Sequence, residues 1–96
     1  MDYAIWAISG RFCGKVYDDQ VYDANGRHVG HISDSKIYSA STGRVVGEFY
    51  REDRVGIKSN KSYSIKGVRA TRATRGFAQR ANKAGISPAG WVDPTF

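Results

Sequence analysis

Three copies of one short phrase run through the first half of the chain, and that periodicity constrains its fold more than any other feature. Gly26-Arg27-His28-Val29-Gly30-His31-Ile32 is followed seventeen residues on by Gly43-Arg44-Val45-Val46-Gly47-Glu48-Phe49. Sixteen residues before Gly26 stands Gly10-Arg11-Phe12-Cys13-Gly14-Lys15-Val16. An apolar pair precedes each turn glycine: Ile5-Trp6, Val21-Tyr22 and Ile37-Tyr38. A fixed period of this kind means that one supersecondary unit is repeated and packed on itself.

Each unit reads as a β-hairpin. Asn25-Gly26 predicts a two-residue type I′ turn, since both residue types accept the positive φ that such a turn requires. Ser9-Gly10 and Thr42-Gly43 fill the same slot. Alternation after the turn sends Phe12, Gly14 and Val16 to one face and Cys13, Lys15 and Tyr17 to the other. A glycine at the middle of one face in all three copies predicts a bulge, a bend or a closely approaching backbone there. Asp18-Asp19-Gln20, Ser33-Asp34-Ser35-Lys36 and Arg51-Glu52-Asp53-Arg54 read as loops that close the units. Val55-Gly56-Ile57 and Tyr63-Ser64-Ile65 suggest a fourth, incomplete unit.

From Val68 the apolar period changes from 2 to 3.6. Ala70, Ala73, Phe77, Ala81 and Ala84 fall on one stripe, and Arg69, Arg72, Arg75, Arg80 and Lys83 on another side. The pattern predicts a basic helix over 68–85, stopped by Gly85 and Pro88. The expected fold class is therefore mainly β with a C-terminal helix (α+β): a hairpin-repeat region over 1–67, the helix packed on it, and a tail over 86–96, all in one domain.

Charge divides the chain in the same place. Residues 1–53 hold six Lys/Arg against eight Asp/Glu, whereas residues 54–96 hold nine Lys/Arg against Asp93 alone. A near-neutral scaffold with a basic segment attached predicts an anionic ligand. The single cysteine, Cys13, excludes an internal disulfide, and the longest apolar run, Ala4 to Ile8, is too short for a membrane span. A soluble cytoplasmic protein is expected. A chain of 96 residues buries only about 60–65% of the surface it exposes when unfolded. Its hairpin edges need covering, which predicts a homo-oligomer.

The run from Val21 to Ile57, with its tyrosine, turn glycine and valine-glycine signature, resembles the bacterial four-fold β-flower proteins over roughly residues 3–57. The resemblance implies a small sheet-rich oligomer of hairpin units. In overall design, a hairpin core followed by a basic segment is similar to phage-encoded sponge proteins that sequester the cyclic nucleotide signals of bacterial immunity. That likeness rests on no motif and assigns no residue.

Catalytic chemistry finds little support. His28 and His31 lie i, i+3 on a strand and point to opposite faces, so they cannot share a metal ion. Cys13 takes the slot of Val29 and Val46, which marks it as a packing residue. Turn geometry accounts for the loop acids, and no phosphate loop, nucleophile elbow or zinc signature occurs. No enzyme, cofactor or metal is expected. The basic residues suit phosphate, because guanidinium donors match two oxygens at once and the planar group stacks on bases. The candidate ligand-binding residues are Arg69, Arg72, Arg75, Arg80 and Lys83 for phosphate, Phe77, Tyr63 and Trp91 for stacking, and Arg27 and Arg44 at the hairpin tips.

These residues support first a non-catalytic oligomer that binds a small phosphorylated or nucleotide-like ligand, as an anti-defence sponge would. The alternatives are a nucleic-acid-binding protein using the basic segment, and a structural assembly module. No membrane partner is expected.

Overall fold

The computed structural model describes residues 2–96. Seven strands follow one another around a closed barrel: β1 (Asp2–Ala7), β2 (Phe12–Tyr17), β3 (Gln20–Asp23), β4 (His28–Ser33), β5 (Lys36–Ser39), β6 (Val45–Arg51) and β7 (Arg54–Lys58). Each pairs antiparallel with the next. Closure comes from a short parallel pairing of β1 with β7, Trp6 opposite Arg54 and Ala7 opposite Val55. β8 (Trp91–Val92) returns from the end of the chain to pair with β7. Closure pairs the two ends of the sheet through Trp6 and Ala7 of β1.

The repeat becomes four units inside one chain. Ile5, Val21, Ile37 and Val55 are the corresponding residues of the four, and all are fully buried in one cluster. A β-branched side chain from each unit thus meets the others at the centre, where burial stabilises by roughly 1.5–3 kcal/mol per side chain. The fourth unit is complete but split. Its first half is β7; its second half is Gly90 to Phe96, with Gly90 at φ +81° matching Gly10, Gly26 and Gly43 at +97°, +83° and +73°. Phe96 packs on the central cluster.

The repeated glycine has the expected cause. In the first three hairpins the register slips between the β-branched residue and the following aromatic, leaving Cys13, Val29 and Val46 as the extra residues. A Cβ on Gly14 would stand 1.9 Å from the carbonyl oxygen of Tyr22, and one on Gly30 1.7 Å from that of Tyr38. The bulge also breaks the simple alternation: Cys13, expected opposite Val16, joins it in the core. A bulge inserts one residue and so shifts the phase of every side chain beyond it.

The turn at Asn25-Gly26 differs from expectation. Asn25-Gly26 is not a type I′ pair, for only Gly26 has positive φ and its N–H donates to the Asp23 carbonyl across a four-residue turn. The two consecutive left-handed residues of a type I′ turn occur instead at Asp34 and Ser35, φ 54° and 64°, between the paired Ser33 and Lys36.

The largest correction concerns residues 68–85. Among the described residues there is no helix, so the fold is all-β rather than α+β. The segment from Ser59 to Gly90 is an irregular strap that passes the turns of the third, second and first units in that order. Lys66 N–H donates to Gly43 O, Arg75 N–H to Gly26 O and Lys83 N–H to Gly10 O, each at 2.8 Å. Ser59 N–H makes the corresponding bond to Gly90 O at 2.7 Å. These backbone donors serve the hairpin turns and are not available for i→i−4 bonds. Reach favours the same outcome: seventeen residues from Lys66 to Lys83 cover about 26 Å as helix but up to about 60 Å when extended, around a body 34 × 32 × 19 Å. Ala70, Ala73, Ala81 and Ala84, the expected buried stripe, are exposed.

Candidate functional site

The strap carries its own repeat, which positions its charges. Lys66-Gly67-Val68, Arg75-Gly76-Phe77 and Lys83-Ala84-Gly85 recur at nine and eight residues, about half the hairpin period. At each crossing the basic residue covers the aromatic of the unit beneath. The Lys66 ammonium lies 5.0 Å from the centroid of Tyr38, the Arg75 guanidinium 5.7 Å from Tyr22 and 3.9 Å from Tyr17, and the Lys83 ammonium 4.0 Å from Trp6. In the fourth unit Gly56 stands where the aromatic would be, and the Trp91 indole lies against it, 3.0 Å from the position of a Cβ there. Lys58 sits over that indole at 5.4 Å.

The expected site residues thus separate into two groups. Arg75 and Lys83 hold the strap down, Lys83 also donating to Asp53 at 2.6 Å. Phe77 packs edge-on against Phe12, ring centroids 6.4 Å apart, and against Tyr17 at 6.3 Å, as a plug beneath the strap. Tyr63 donates its hydroxyl to Glu48 Oε1 at 2.8 Å and accepts from Lys58 N–H. Burial alone would raise the Glu48 carboxyl, yet the Tyr63 hydroxyl and the Lys61 ammonium hold it below the ordinary value. Arg69, Arg72, Arg80, Arg27 and Arg44 are exposed, and among the described residues none has a carboxylate within salt-bridge distance. Trp91 is half-buried at the far end of the strap. The structure therefore strings the first group into the fold and leaves the second along the rim. The spacing of the strap's basic tripeptides could have exposed the circuit, and with it Lys66, which the arginine periodicity missed; Lys58 and Lys61 had no comparable signal.

The bulge at Val29 overturns the expected separation of the histidines: His28 pairs opposite Tyr22 and His31 opposite Gln20, which puts both on one outer face of the sheet. His28 Nε2 bonds Gln20 Oε1 at 2.8 Å, and its Nδ1 accepts the Arg72 N–H at 3.1 Å. His31 is 4% exposed, stacks on Tyr38 at 5.8 Å, and has neither ring nitrogen hydrogen-bonded. Among the described residues no group of His, Cys, Asp and Glu side chains is arranged to hold a metal ion. Burial pushes the Cys13 thiol up to about 12, with Asp93 pushing the same way and Arg11 opposing. A thiol held protonated at neutral pH is a poor nucleophile.

Surface clefts flank the strap. The first, of about 490 Å³, is lined by Arg51, Glu52, Asp53, Arg54, Lys83 and Ile86. A second, of about 580 Å³, lies beside Trp6, Arg80 and Glu52. The third, of about 520 Å³, lies beside Trp91. Among the described residues no helix is long and apolar enough to cross a membrane.

A family model described as 4-fold beta flower protein matches residues 1–96, the strap included. No curated protein and no solved structure matches the chain.

Proposed function

The chain belongs to the 4-fold beta flower family, and from that premise we propose that it is a non-catalytic cytoplasmic module that binds the phosphates of nucleic acid along its strap. The observation that carries this reading is the row of exposed arginines at Arg69, Arg72 and Arg80, with no carboxylate in salt-bridge distance among the described residues, on the irregular strap that follows the rim. Guanidinium groups spread along an open line suit a ligand whose charge is also spread along a line. A small phosphorylated ligand is better served by a pocket that encloses it. Here Phe77 and Tyr63, expected to stack on such a ligand, are already engaged by the fold. The hairpin-tip arginines Arg27 and Arg44 extend the same positive rim.

The test is fluorescence anisotropy of labelled oligonucleotides against the intact protein across a salt series. Affinity should fall steeply with salt, because each neutralised phosphate releases counterion. Arg69→Glu with Arg72→Glu should abolish binding while the circular dichroism of the sheet stays unchanged. Binding that survives this double substitution, or no binding by the unaltered protein at low salt, removes the reading. A cyclic dinucleotide run in the same assay tests the sponge alternative directly.

A further inference from the structure

At three units the strap crosses over the aromatic and seals it with a basic side chain. The fourth differs because the strap starts and finishes there. Trp91 is met by Lys58 of the adjacent strand and edge-on by Tyr50, and among the described residues no basic side chain of the strap lies over its ring. What remains open is the cleft of about 520 Å³ lined by Lys58, Asn60, Lys61, Ser62, Gly90 and Trp91 among others. None of its lining residues is acidic. We propose that this cleft seats one unstacked nucleotide, its base on the Trp91 indole and its phosphate between Lys58 and Lys61, so that the ligand of the strap is a single strand and not a duplex.

The proposal rests on the nucleic-acid reading above and adds to it a choice of strand. The indole is a fixed platform. Tyr50 meets it edge-on at 5.1 Å and 78°, and Gly56 leaves room for it against β7. Around it stand two ammonium groups, an amide and a hydroxyl, which together supply donors to several phosphate oxygens. Lys61 is shared with Glu48 at 3.4 Å, a long contact in which the lysine side chain is 35% exposed, so that its ammonium is partly open to a phosphate. A duplex keeps its bases stacked and out of reach of such a platform, whereas a single strand offers a base with a free face. The cleft also lies where the strap begins, so a strand seated in it runs on directly to the exposed arginines.

Two measurements on the full chain decide it. In the first, a 12-mer oligothymidylate carrying 5-bromouracil is irradiated with the unaltered protein and the cross-link mapped by mass spectrometry; it should fall on Trp91 or on Tyr50 beside it. In the second, anisotropy compares the same 12-mer with its duplex. Trp91→Ala should weaken the single strand about tenfold with little change in the salt slope, leave the duplex unaffected, and be largely rescued in Trp91→Phe. Equal affinity for both strand forms with cross-links elsewhere overturns the proposal, and if Arg69→Glu with Arg72→Glu still abolishes binding, the strap reading survives it. Absence of any binding removes both. If Trp91→Ala does not fold, the cross-link in the unaltered protein decides: on Trp91 or Tyr50 it supports the proposal, and elsewhere it overturns it.

Discussion

The ammonium of Lys83 lies 4.0 Å from the centre of the Trp6 indole while donating to Asp53 at 2.6 Å, so one side chain of the strap fastens both strands that close the barrel. Trp6 is on β1, Asp53 is in the turn before β7, and the Trp6 N–H donates to the Asp53 carbonyl at 2.8 Å. The indole Nε1 in turn donates to Ala81 O at 3.0 Å. Closure of the sheet and seating of the strap are therefore one event at this corner.

Lys83→Ala should lower stability by about 1 kcal/mol, the usual scale of a partly exposed cation–π contact with a weak ion pair added. Hydrogen exchange should quicken at the Lys83 and Ile86 amides, which bond Gly10 O and Ile8 O. An unchanged melting midpoint and unchanged exchange would show that the corner is held by the backbone alone.

Gly30→Ala should unfold the protein or cost about 3 kcal/mol or more, since its Cβ would stand 1.7 Å from a carbonyl oxygen in the middle of the sheet. Gly76→Ala, on the open strap with nothing within 4 Å, should shift stability by less than about 0.5 kcal/mol. Urea denaturation of the two variants separates a glycine required by packing from one that merely sits in a loop.

Stability should fall in two steps as pH drops. Burial holds the His31 imidazole below the ordinary histidine value, with Arg69 and Lys66 pushing the same way and Asp19 opposing. Burial and Arg72 likewise hold His28 down. Near pH 6.5 and below, the unfolded chain binds protons that the folded chain refuses, so this contribution is full above about pH 7 and declines until the folded values are reached. Glu48, held below its ordinary 4.5, adds a second loss as pH falls from there through its folded value. His31→Phe should flatten the first step and raise stability at pH 7 by about 1 kcal/mol, because two unbonded buried nitrogens disappear. Thermal melts from pH 2 to pH 8 read both steps.

Arg75→Ala should behave as a structural change and Arg69→Ala as a surface one. The Arg75 guanidinium lies 3.9 Å from the Tyr17 ring, a contact of about 1 kcal/mol. Arg69 contributes its N–H to Ala40 O and leaves its side chain exposed. Melting temperature should drop in the first alone, whereas the nucleic-acid salt slope should shrink by about 1 in the second.

Much of the barrel was legible before folding. The positions of Ile5, Val21 and Ile37 in successive copies, and of Val55 beyond them, mark one buried residue per unit, and the repeated glycine announced its own steric cause. The turns were legible in place but not in type, because Asn25-Gly26 and Asp34-Ser35 both suit left-handed residues and loop length decides which adopts them. The candidate site was half legible. Its arginines are exposed as expected, but Phe77, Tyr63, Arg75 and Lys83 are used by the fold, and nothing local to them says which side chains a distant hairpin will occupy.

A repeat of hairpins with a basic segment after it could be read from the residues alone, because turn glycines, alternation and charge are local properties that survive without neighbours. Three features emerge only once the chain is folded: four hairpin units close within one chain, Trp91 fills the place left empty at Gly56, and the basic segment is a strap and not a helix. Alanines and arginines at helical spacing favour a helix weakly, by tenths of a kcal/mol per residue. The carbonyls of Gly10, Gly26, Gly43 and Gly90, presented in a ring by the closed barrel, offer four backbone hydrogen bonds that an extended chain can meet one after another and a helix cannot.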